Sequence, residues 1–309
     1  MRTGTFCTRS MAKDYEFSII LPVFNERSSL ASLLQRLGAL CLPNAEIILV
    51  DDGSTDGSAG GAEGKPVRVI SHPYNIGNGA AIKSGIRAAR GKLLILMDSD
   101  GQHQPEDIPK LIADAERYHM IVGARAKGSK LRFHRYVANL VYNAFASYVT
   151  KFKVQDLTSG FRVVRRADAL RFIDLLPNEF SYPTTLTLAF LRSGLTVKYV
   201  PIHSLYRSGQ SKISLISDGL RFLLIITKIA TFFSPLRVFL PVSGFFFVTG
   251  VGYYFYTYLT EGRFTNMAVF LLTTAVIVFM LGLVSEQIAL LRMERHSRPL
   301  DDGADGGKD

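Results

Sequence analysis

The sequence predicts an α/β domain with a mostly parallel sheet, followed by a C-terminal transmembrane helical hairpin. Residues 17–125 alternate short apolar runs with amphipathic stretches, which is the pattern of repeated strand–helix units. Two later segments, residues 238–260 and 264–285, contain no charged side chain and are long enough to cross a bilayer, which takes roughly 20 helical residues. Polar clusters also follow three of the predicted strands, where α/β sheets bind ligands.

The elements of the α/β domain follow from two periodicities. Amphipathic stretches that begin near Asn, Ser or Pro and repeat apolar residues at helical intervals predict helices at 28–40, 78–91 and 105–118. The short apolar runs between and around them predict buried strands at 17–23, 45–50, 67–70, 92–97 and 120–124. This alternation favours parallel strands covered on both faces of the sheet.

The two charge-free segments predict a hairpin whose ends lie on the same side of the membrane. About five residues join them, and the first segment ends in the Tyr-rich run YYFYTY, which is typical of an aromatic belt. Basic residues flank both outer ends, including Arg237 and Arg292, so the positive-inside rule predicts that the catalytic domain and both termini are cytoplasmic. The N-terminus lacks the apolar core of a signal peptide, which agrees with this orientation.

Composition narrows the partners and divides the chain. The net charge of +10 indicates anionic partners, such as nucleic acid, phospholipid or phosphorylated ligands. Cys7 and Cys41 suggest no disulfide framework and suit a reducing compartment. We predict a flexible leader, a folded α/β domain, amphipathic interfacial helices, the membrane hairpin and a disordered tail, at residues 1–14, 15–211, 212–234, 235–292 and 293–309.

The three polar clusters are PVFNE (22–26), DDGSTDGS (51–58) and DSDGQH (98–103). A turn or a helix cap explains each cluster taken alone as well as a binding role does, but together the three converge on one edge of a parallel sheet. Three common motifs are absent: Ile82 stands where the dinucleotide motif G-x-G-x-x-G needs its third glycine, and the sequence has neither a P-loop nor the hydrolase motif G-x-S-x-G. The pair Asp98 and Asp100 therefore either caps a helix or holds a metal.

These clusters occur in order with NIGNGAAIKSG, VGAR, DLTSGFRVVRR and YRSGQSK, over residues 17–212. The series resembles family 2 glycosyltransferases, and within them the dolichyl- or polyprenyl-phosphate sugar synthases, such as dolichyl-phosphate mannose synthase. The resemblance implies a GT-A fold, a nucleotide-sugar donor and a polyprenyl or dolichyl phosphate acceptor. It also implies the lipid bilayer as a partner, no nucleic acid, and a homo-oligomer such as a tetramer.

For the donor half, the resemblance assigns a base and ribose pocket, a nucleobase contact at Asp52 beside Asp51, and a basic loop that closes over the diphosphate. It implies Mg²⁺ or Mn²⁺ held by Asp98, Asp100 and Gln102, with His103 interpreted as an edge residue rather than a ligand. Hard cations with oxygen ligands suit a diphosphate leaving group. The base and ribose pocket is assigned to Pro22, Asn25 and Glu26, and the basic loop to Arg207 and Lys212. Gly53 and Ser99 complete the expected donor site. A juxtamembrane patch for lipid headgroups is a compatible second interpretation of Arg207 and Lys212.

For the acceptor half, the resemblance places Arg125, Arg132 and Ser159 at the lipid phosphate. Because a lipid monophosphate is largely dianionic near neutral pH, its oxygen can attack the anomeric carbon without a base and invert the configuration. The residues expected to be catalytic are Asp100, Asp156, Arg207 and Lys212. Asp156 matches the general base of relatives that use hydroxyl acceptors, so its role with a phosphate acceptor stays open. The motifs leave GDP-mannose, UDP-glucose and UDP-N-acetylglucosamine open as donors, and the resemblance favours GDP-mannose or UDP-glucose. The alternative is transfer of a hexose to a saccharide or protein hydroxyl.

Overall fold

The computed structural model describes residues 15–62, 64–125, 140, 143–144, 146–148, 150–179, 182–203, 231 and 234–297. The described residues fall into two compact units, one that ends at residue 203 and one that comprises residues 231–297 within the described ranges. The predicted leader, most of the predicted interfacial segment and most of the predicted tail lie outside the described residues.

The first unit contains a seven-stranded, mostly parallel sheet, which confirms the predicted fold class. In chain order the strands are β1 (Phe17–Val23), β2 (Ala45–Asp51), β3 (Val67–Ser71), β4 (Leu93–Leu96), β5 (Met120–Arg125), β6 (Arg162–Arg165) and β7 (Val197–Ile202). Their order across the sheet is β3-β2-β1-β4-β6-β5-β7, and β6 alone runs antiparallel to its neighbours. The five predicted strands are β1 to β5, so β6 and β7 were missed.

Burial explains which strands the sequence revealed. Every residue of β1 is buried, and β2 is buried from its second residue onward, as expected of central parallel strands with both faces covered. β6 is a four-residue segment with an arginine at each end, so neither length nor alternation marks it as a strand. Its pairing with β4 and β5 is supplied by partners distant in sequence.

The helices of the first unit are α1 (Arg27–Ala39), α2 (Asn78–Ala88), α3 (Ile108–Ile112), α4 (Arg166–Arg171) and α5 (Tyr182–Arg192). The helix predicted at 105–118 is shorter than expected: it starts as a 3₁₀ turn at Pro105–Asp107 and its α-helical part ends at Ile112. Beyond that point Ala115 N donates to Ile112 O at 3.0 Å and Arg117 N to Asp114 O at 3.0 Å. These i→i−3 bonds replace the α-helical ladder, and apolar periodicity alone cannot distinguish the two.

The N-terminus of α2 is filled by protein rather than left open for a phosphate. Ala80 N donates to Asn178 O at 2.9 Å, and Lys83 Nζ donates to Leu176 O at 3.2 Å. A Cβ added at Gly79 would lie 2.1 Å from Pro177 O, so the two segments meet backbone to backbone. This packing accounts for the glycine of the GNG run without invoking a dinucleotide motif.

The second unit is a hairpin of two long apolar helices, α6 (Leu236–Glu261) and α7 (Asn266–Ser297), which confirms the predicted C-terminal hairpin. Both helices are long and apolar enough to cross a membrane. They pack through small residues: Gly250 lies against Leu271 and Leu272, and Ser243 Oγ donates to Ala275 O at 2.8 Å. Close approach at small residues is the usual way in which membrane helices associate.

Candidate active site

The site lies at the carboxyl ends of β1, β2 and β4, which are neighbours in the sheet. Two of its loops are hydrogen-bonded to each other just beyond those ends. Asn25 N donates to Ser54 Oγ at 3.0 Å, Thr55 N donates to Asn25 Oδ1 at 2.9 Å, and Glu26 N donates to Ser58 Oγ at 3.1 Å. The predicted donor-site residues Asn25 and Glu26 therefore hold the β2 loop in place through their own polar groups.

Ser99 joins the β4 turn to β1 and to α1. Its hydroxyl donates to Pro22 O at 2.7 Å, while its carbonyl accepts from Ser29 Oγ at 2.8 Å. Because Pro22 O and Ser99 Oγ bond directly, two of the predicted donor-site residues lie together in the structure. This contact fixes the turn that carries Asp98 and Asp100.

Asp51 and Asp52 have different surroundings although they are adjacent. Asp51 Oδ1 accepts from Ser54 N at 3.1 Å and so closes the turn that follows β2. Asp52 is 3% exposed, and its carboxylate accepts from Ile76 N at 3.1 Å, Gly77 N at 2.8 Å and the His72 ring at 2.7 Å. The loop after β3 is thereby held against the predicted nucleobase contact.

Gly53 is required by the same loop packing. It has a φ of 75°, and a Cβ added there would lie 2.6 Å from the carbonyl carbon of Tyr74. An L-amino acid with a side chain fits neither the dihedral angle nor the space.

Asp98, Asp100 and Gln102 follow β4 within one turn. Gln102 N donates to Asp100 Oδ1 at 3.1 Å, and the Asp98 side chain keeps 32% of its surface exposed. His103 is buried rather than at the edge of the site as expected: it stacks on Phe161 at 5.2 Å, and its Nδ1 accepts from Asp98 N at 3.3 Å. Its Nδ1 is engaged in holding the turn, which supports the interpretation of His103 as a structural residue.

The donor set of this turn fits a hard divalent cation. Among the described residues no three His, Cys, Asp or Glu side chains lie close enough to hold a metal by themselves. Two carboxylates and an amide oxygen are nevertheless the ligand types that Mg²⁺ and Mn²⁺ accept, and such ions are commonly held by one or two carboxylates together with substrate phosphates. Asp98, Asp100 and Gln102 are therefore suited to a metal bound jointly with a diphosphate.

The segment from Asp156 to Gly160 reaches the Asp98 carboxylate through Gly160. A Cβ added at Gly160 would lie 2.3 Å from Asp98 Oδ2, so any larger residue at this position would displace that carboxylate. This contact connects the predicted metal turn with the predicted acceptor segment, which are about 60 residues apart in sequence.

We expect Gly160→Ala to reduce activity much more than stability. The obstructing atom is at the end of the Asp98 side chain, which can rotate away and leave the fold intact. The displaced carboxylate would then hold the expected divalent cation in the wrong position. A misplacement of about 1 Å can cost roughly 100-fold in rate. The measurement is transferase turnover beside the thermal melting of the full-length chain in detergent. Turnover equal to that of the wild type would show that the Asp98 position is not critical.

Arg125 and Asp156 form a two-pronged ion pair on the acceptor side. Arg125 Nε donates to Asp156 Oδ2 at 2.8 Å and Nη2 donates to Oδ1 at 2.9 Å. Asp156 also accepts from Thr158 N and Ser159 N, each at 3.2 Å. In the described part of the chain Arg125 Nη1 donates to no group, and 20% of the side chain is exposed. Among the described residues, one edge of the guanidinium is thus left without a hydrogen-bond partner and could accommodate an anion.

The electrostatics of this pair keep both groups charged. Burial disfavours the charged form of each, but the hydrogen bonds and charge attraction between them, together with backbone N–H groups that donate to Asp156, outweigh it and hold the pKa of Asp156 below its usual value. The same contacts, with a further contribution from Asp98, raise the pKa of Arg125. A carboxylate with a lowered pKa and this many donors is a weak proton acceptor.

Arg162 is a fully buried cation to which the sequence analysis gave no role. Its guanidinium donates to Ser159 O, Pro183 O and Thr187 Oγ1, each at 2.8 Å, and to Leu157 O at 3.3 Å. In the described part of the chain no carboxylate is hydrogen-bonded to it, and desolvation lowers its pKa. The signal available in the sequence was an arginine within the otherwise apolar run FRVV.

The structure brings together most, but not all, of the predicted site. Ser159 is buried beside Asp156, and its hydroxyl has no hydrogen-bond partner among the described residues. The predicted roles of Arg132, Arg207 and Lys212 fall on residues that lie outside the described ranges, so these three stay predictions. His72, one residue beyond β3, was missed although its place at a strand end is a usable signal.

The fold and the site define a class of protein: an α/β domain whose strand ends carry clustered carboxylate and amide side chains, followed by a hairpin of two helices long and apolar enough to cross a membrane. The profile of the family "Glycosyl transferase family 2" matches residues 18–171, and that of the "GtrB C-terminal hairpin" matches residues 234–291. The chain is 32% identical to an undecaprenyl-phosphate 4-deoxy-4-formamido-L-arabinose transferase of Pseudomonas fluorescens, over 91% of this chain and 87% of that protein. It therefore belongs to glycosyltransferase family 2, in the polyprenyl-phosphate sugar synthase type.

Two further similarities are more partial. A dodecaprenyl-phosphate galacturonate synthase of Rhizobium johnstonii is 33% identical over 51% of this chain, and the match spans half of that protein. The solved glucosyl-3-phosphoglycerate synthase of Mycobacterium tuberculosis, in complex with Mn²⁺ and UDP-glucose, superposes with a TM-score of 0.55 at 20% identity, over 70% of this chain and 78% of that one. At this identity the second similarity shows the fold, which is the predicted GT-A fold.

Proposed function

We propose that the protein transfers a sugar from a uridine diphosphate sugar to a polyprenyl phosphate and inverts the anomeric configuration. The family and its polyprenyl-phosphate relatives support the acceptor class. The fold neighbour that binds UDP-glucose with Mn²⁺ supports a uridine nucleotide, so of the two donors expected from the sequence we retain the UDP-sugar and not GDP-mannose.

The observation that carries this proposal is the Arg125–Asp156 pair. A transferase for a hydroxyl acceptor needs a base that can take the hydroxyl proton, and Asp156 is 6% exposed with both oxygens accepting from Arg125. A phosphate acceptor needs no base, but it does need a cation. Arg125 supplies that cation through its Nη1 edge, and Asp156 orients the guanidinium. The geometry thus favours a lipid phosphate over the alternative hydroxyl acceptor.

The chemical step is one displacement. An oxygen of the lipid phosphate forms a bond to the anomeric carbon, the bond from that carbon to the diphosphate breaks, and the nucleoside diphosphate leaves with the electron pair. Arg125 and Ser159 would hold the attacking phosphate in line, and Arg132 is proposed to assist them. Asp98, Asp100 and Gln102 would hold a divalent cation, which neutralises charge on the departing diphosphate. Arg207 and Lys212 are proposed for the same diphosphate.

The orientation in the membrane is part of the proposal. Basic residues at the outer ends of the hairpin support a cytoplasmic position for both termini and the catalytic domain, where nucleotide sugars are available. We also retain the predicted homo-oligomer and the predicted domain boundaries as proposals.

The test is a panel of radiolabelled nucleotide sugars incubated with membranes that contain the protein. Each donor is paired with undecaprenyl phosphate or, as a matched control, with undecaprenol, which offers a hydroxyl in place of the phosphate. We expect label in the organic phase only with a UDP-sugar and the phosphate. Label transferred to undecaprenol, or found only in a water-soluble or protein fraction, would overturn the lipid-phosphate assignment.

A further inference from the structure

His72 links three parts of the donor side. It follows β3 directly, and its backbone N donates to Asp51 O at 2.8 Å. The ring Nδ1 lies 2.7 Å from Asp52 Oδ1 and the ring Nε2 lies 2.9 Å from Ser84 Oγ on α2. The imidazole is 10% exposed, so both of its polar atoms are engaged inside the protein.

The partners determine where the His72 proton lies. A carboxylate only accepts hydrogen bonds, so Nδ1 must carry a proton and donate it to Asp52. In the neutral ring, Nε2 then accepts from the Ser84 hydroxyl. The ring is thereby fixed at both ends, and Asp52 Oδ1 is held in one position.

The contacts of Asp52 leave it little remaining acceptor capacity. A carboxylate has about four lone-pair positions, two on each oxygen. Oδ1 accepts from His72 and from Ile76 N, and Oδ2 accepts from Gly77 N. In the described part of the chain, one position on Oδ2 therefore remains for a ligand.

A carboxylate with one remaining acceptor position can distinguish uracil from guanine. Uracil presents a single ring N–H, at N3, with a carbonyl on either side. Guanine presents two adjacent donors, N1–H and the 2-amino group, which pair best with both oxygens of a carboxylate at once. When its Oδ1 is occupied, Asp52 can still accept the single N–H of uracil, but it leaves one of the two guanine donors without a partner, which is costly in a buried site.

We infer that His72 is a positioning and specificity-determining residue for the donor. By occupying Asp52 Oδ1, it makes this carboxylate an acceptor for a single N–H and so selects a uracil nucleotide over a guanine nucleotide. The inference rests on the proposed function, because it takes Asp52 as the nucleobase contact.

The experiment measures binding of UDP and GDP to the full-length chain in detergent by calorimetry, with Mn²⁺ present and no acceptor. His72→Leu removes the donor to Asp52 at similar size, whereas His72→Asn keeps an N–H near the position of Nδ1. His119→Asn is the matched control, because His119 bonds Thr196 Oγ1 at 2.8 Å near the start of β5 and away from Asp52.

We expect the wild type to prefer UDP over GDP by at least about tenfold, as one charge-assisted hydrogen bond allows. His72→Leu should weaken UDP binding roughly tenfold while GDP binding changes less, so that the preference for UDP over GDP becomes smaller. His72→Asn should restore much of this preference, and His119→Asn should bind both nucleotides as the wild type does. In a separate turnover assay that includes the acceptor, the KM for polyprenyl phosphate should be the same in all variants. A purely structural role would instead affect both substrates together.

Two outcomes would overturn the inference separately from the proposed function. If His72→Leu binds UDP and GDP as the wild type does, while the wild type transfers sugar from a UDP-sugar to polyprenyl phosphate, the inference is wrong and the function stands. If the wild type binds neither nucleotide, both are wrong.

Discussion

Asp100→Asn is expected to lower transferase turnover about 100-fold or more at any concentration of divalent cation. The substitution keeps the shape of the side chain and removes one of the two negative charges in the turn after β4. The altered turn therefore binds the metal more weakly. A loss of roughly 3 kcal/mol in stabilisation of the departing diphosphate corresponds to that factor. Turnover measured against Mn²⁺ concentration gives both the maximal rate and the half-saturating concentration of the metal.

The control for this variant is Asp174→Asn. Asp174 is an exposed carboxylate paired loosely with Arg87 at 3.4 Å, and its replacement removes the same charge outside the site. We expect its activity and its Mn²⁺ dependence to match those of the wild type. Undiminished turnover in Asp100→Asn would contradict the metal role assigned to that residue.

Arg162→Met is expected to cause the largest loss of stability among single substitutions at the acceptor side. Methionine fills a similar volume but donates no hydrogen bond, so Leu157 O and Ser159 O lose their buried partner. Pro183 O still accepts from Thr187 Oγ1. Each orphaned buried acceptor costs about 1–3 kcal/mol, partly offset because a buried charge is removed, and we expect a net cost of about 3 kcal/mol. This corresponds to a melting temperature lower by roughly 6–12 °C.

The matched control is Arg165→Met, three residues further along β6. Arg165 Nη2 donates to Glu116 O at 2.7 Å at an exposed position, so water can replace it and the cost should stay below about 1 kcal/mol. Thermal melting of the full-length chain in detergent, followed by far-UV circular dichroism, compares the two variants. Equal melting temperatures would mean that the buried guanidinium does not stabilise the segment that carries Asp156.

Much of the fold was predictable because it depends on local patterns. The apolar runs that form β1 and β2 are continuous, and the helical periodicity of α1 and α2 is strong, so both kinds of element were predicted close to their observed bounds. β6 and the 3₁₀ character around α3 were not predicted. They depend on pairing with distant strands and on hydrogen-bond geometry, which periodicity does not encode.

The site also has features that depend on local sequence patterns and features that depend on tertiary contacts. The sequence by itself determined that acidic and amide side chains gather at three strand ends and that an apolar hairpin follows, because both are consequences of residue order. Only the tertiary structure decided that Asp156 is held by Arg125, that the buried Arg162 donates to backbone carbonyls, and that His72 is hydrogen-bonded to Asp52 Oδ1. The physical reason is that hydrogen-bond capacity is limited. Which donors saturate a carboxylate depends on groups brought together by folding, and their sequence positions alone do not reveal it.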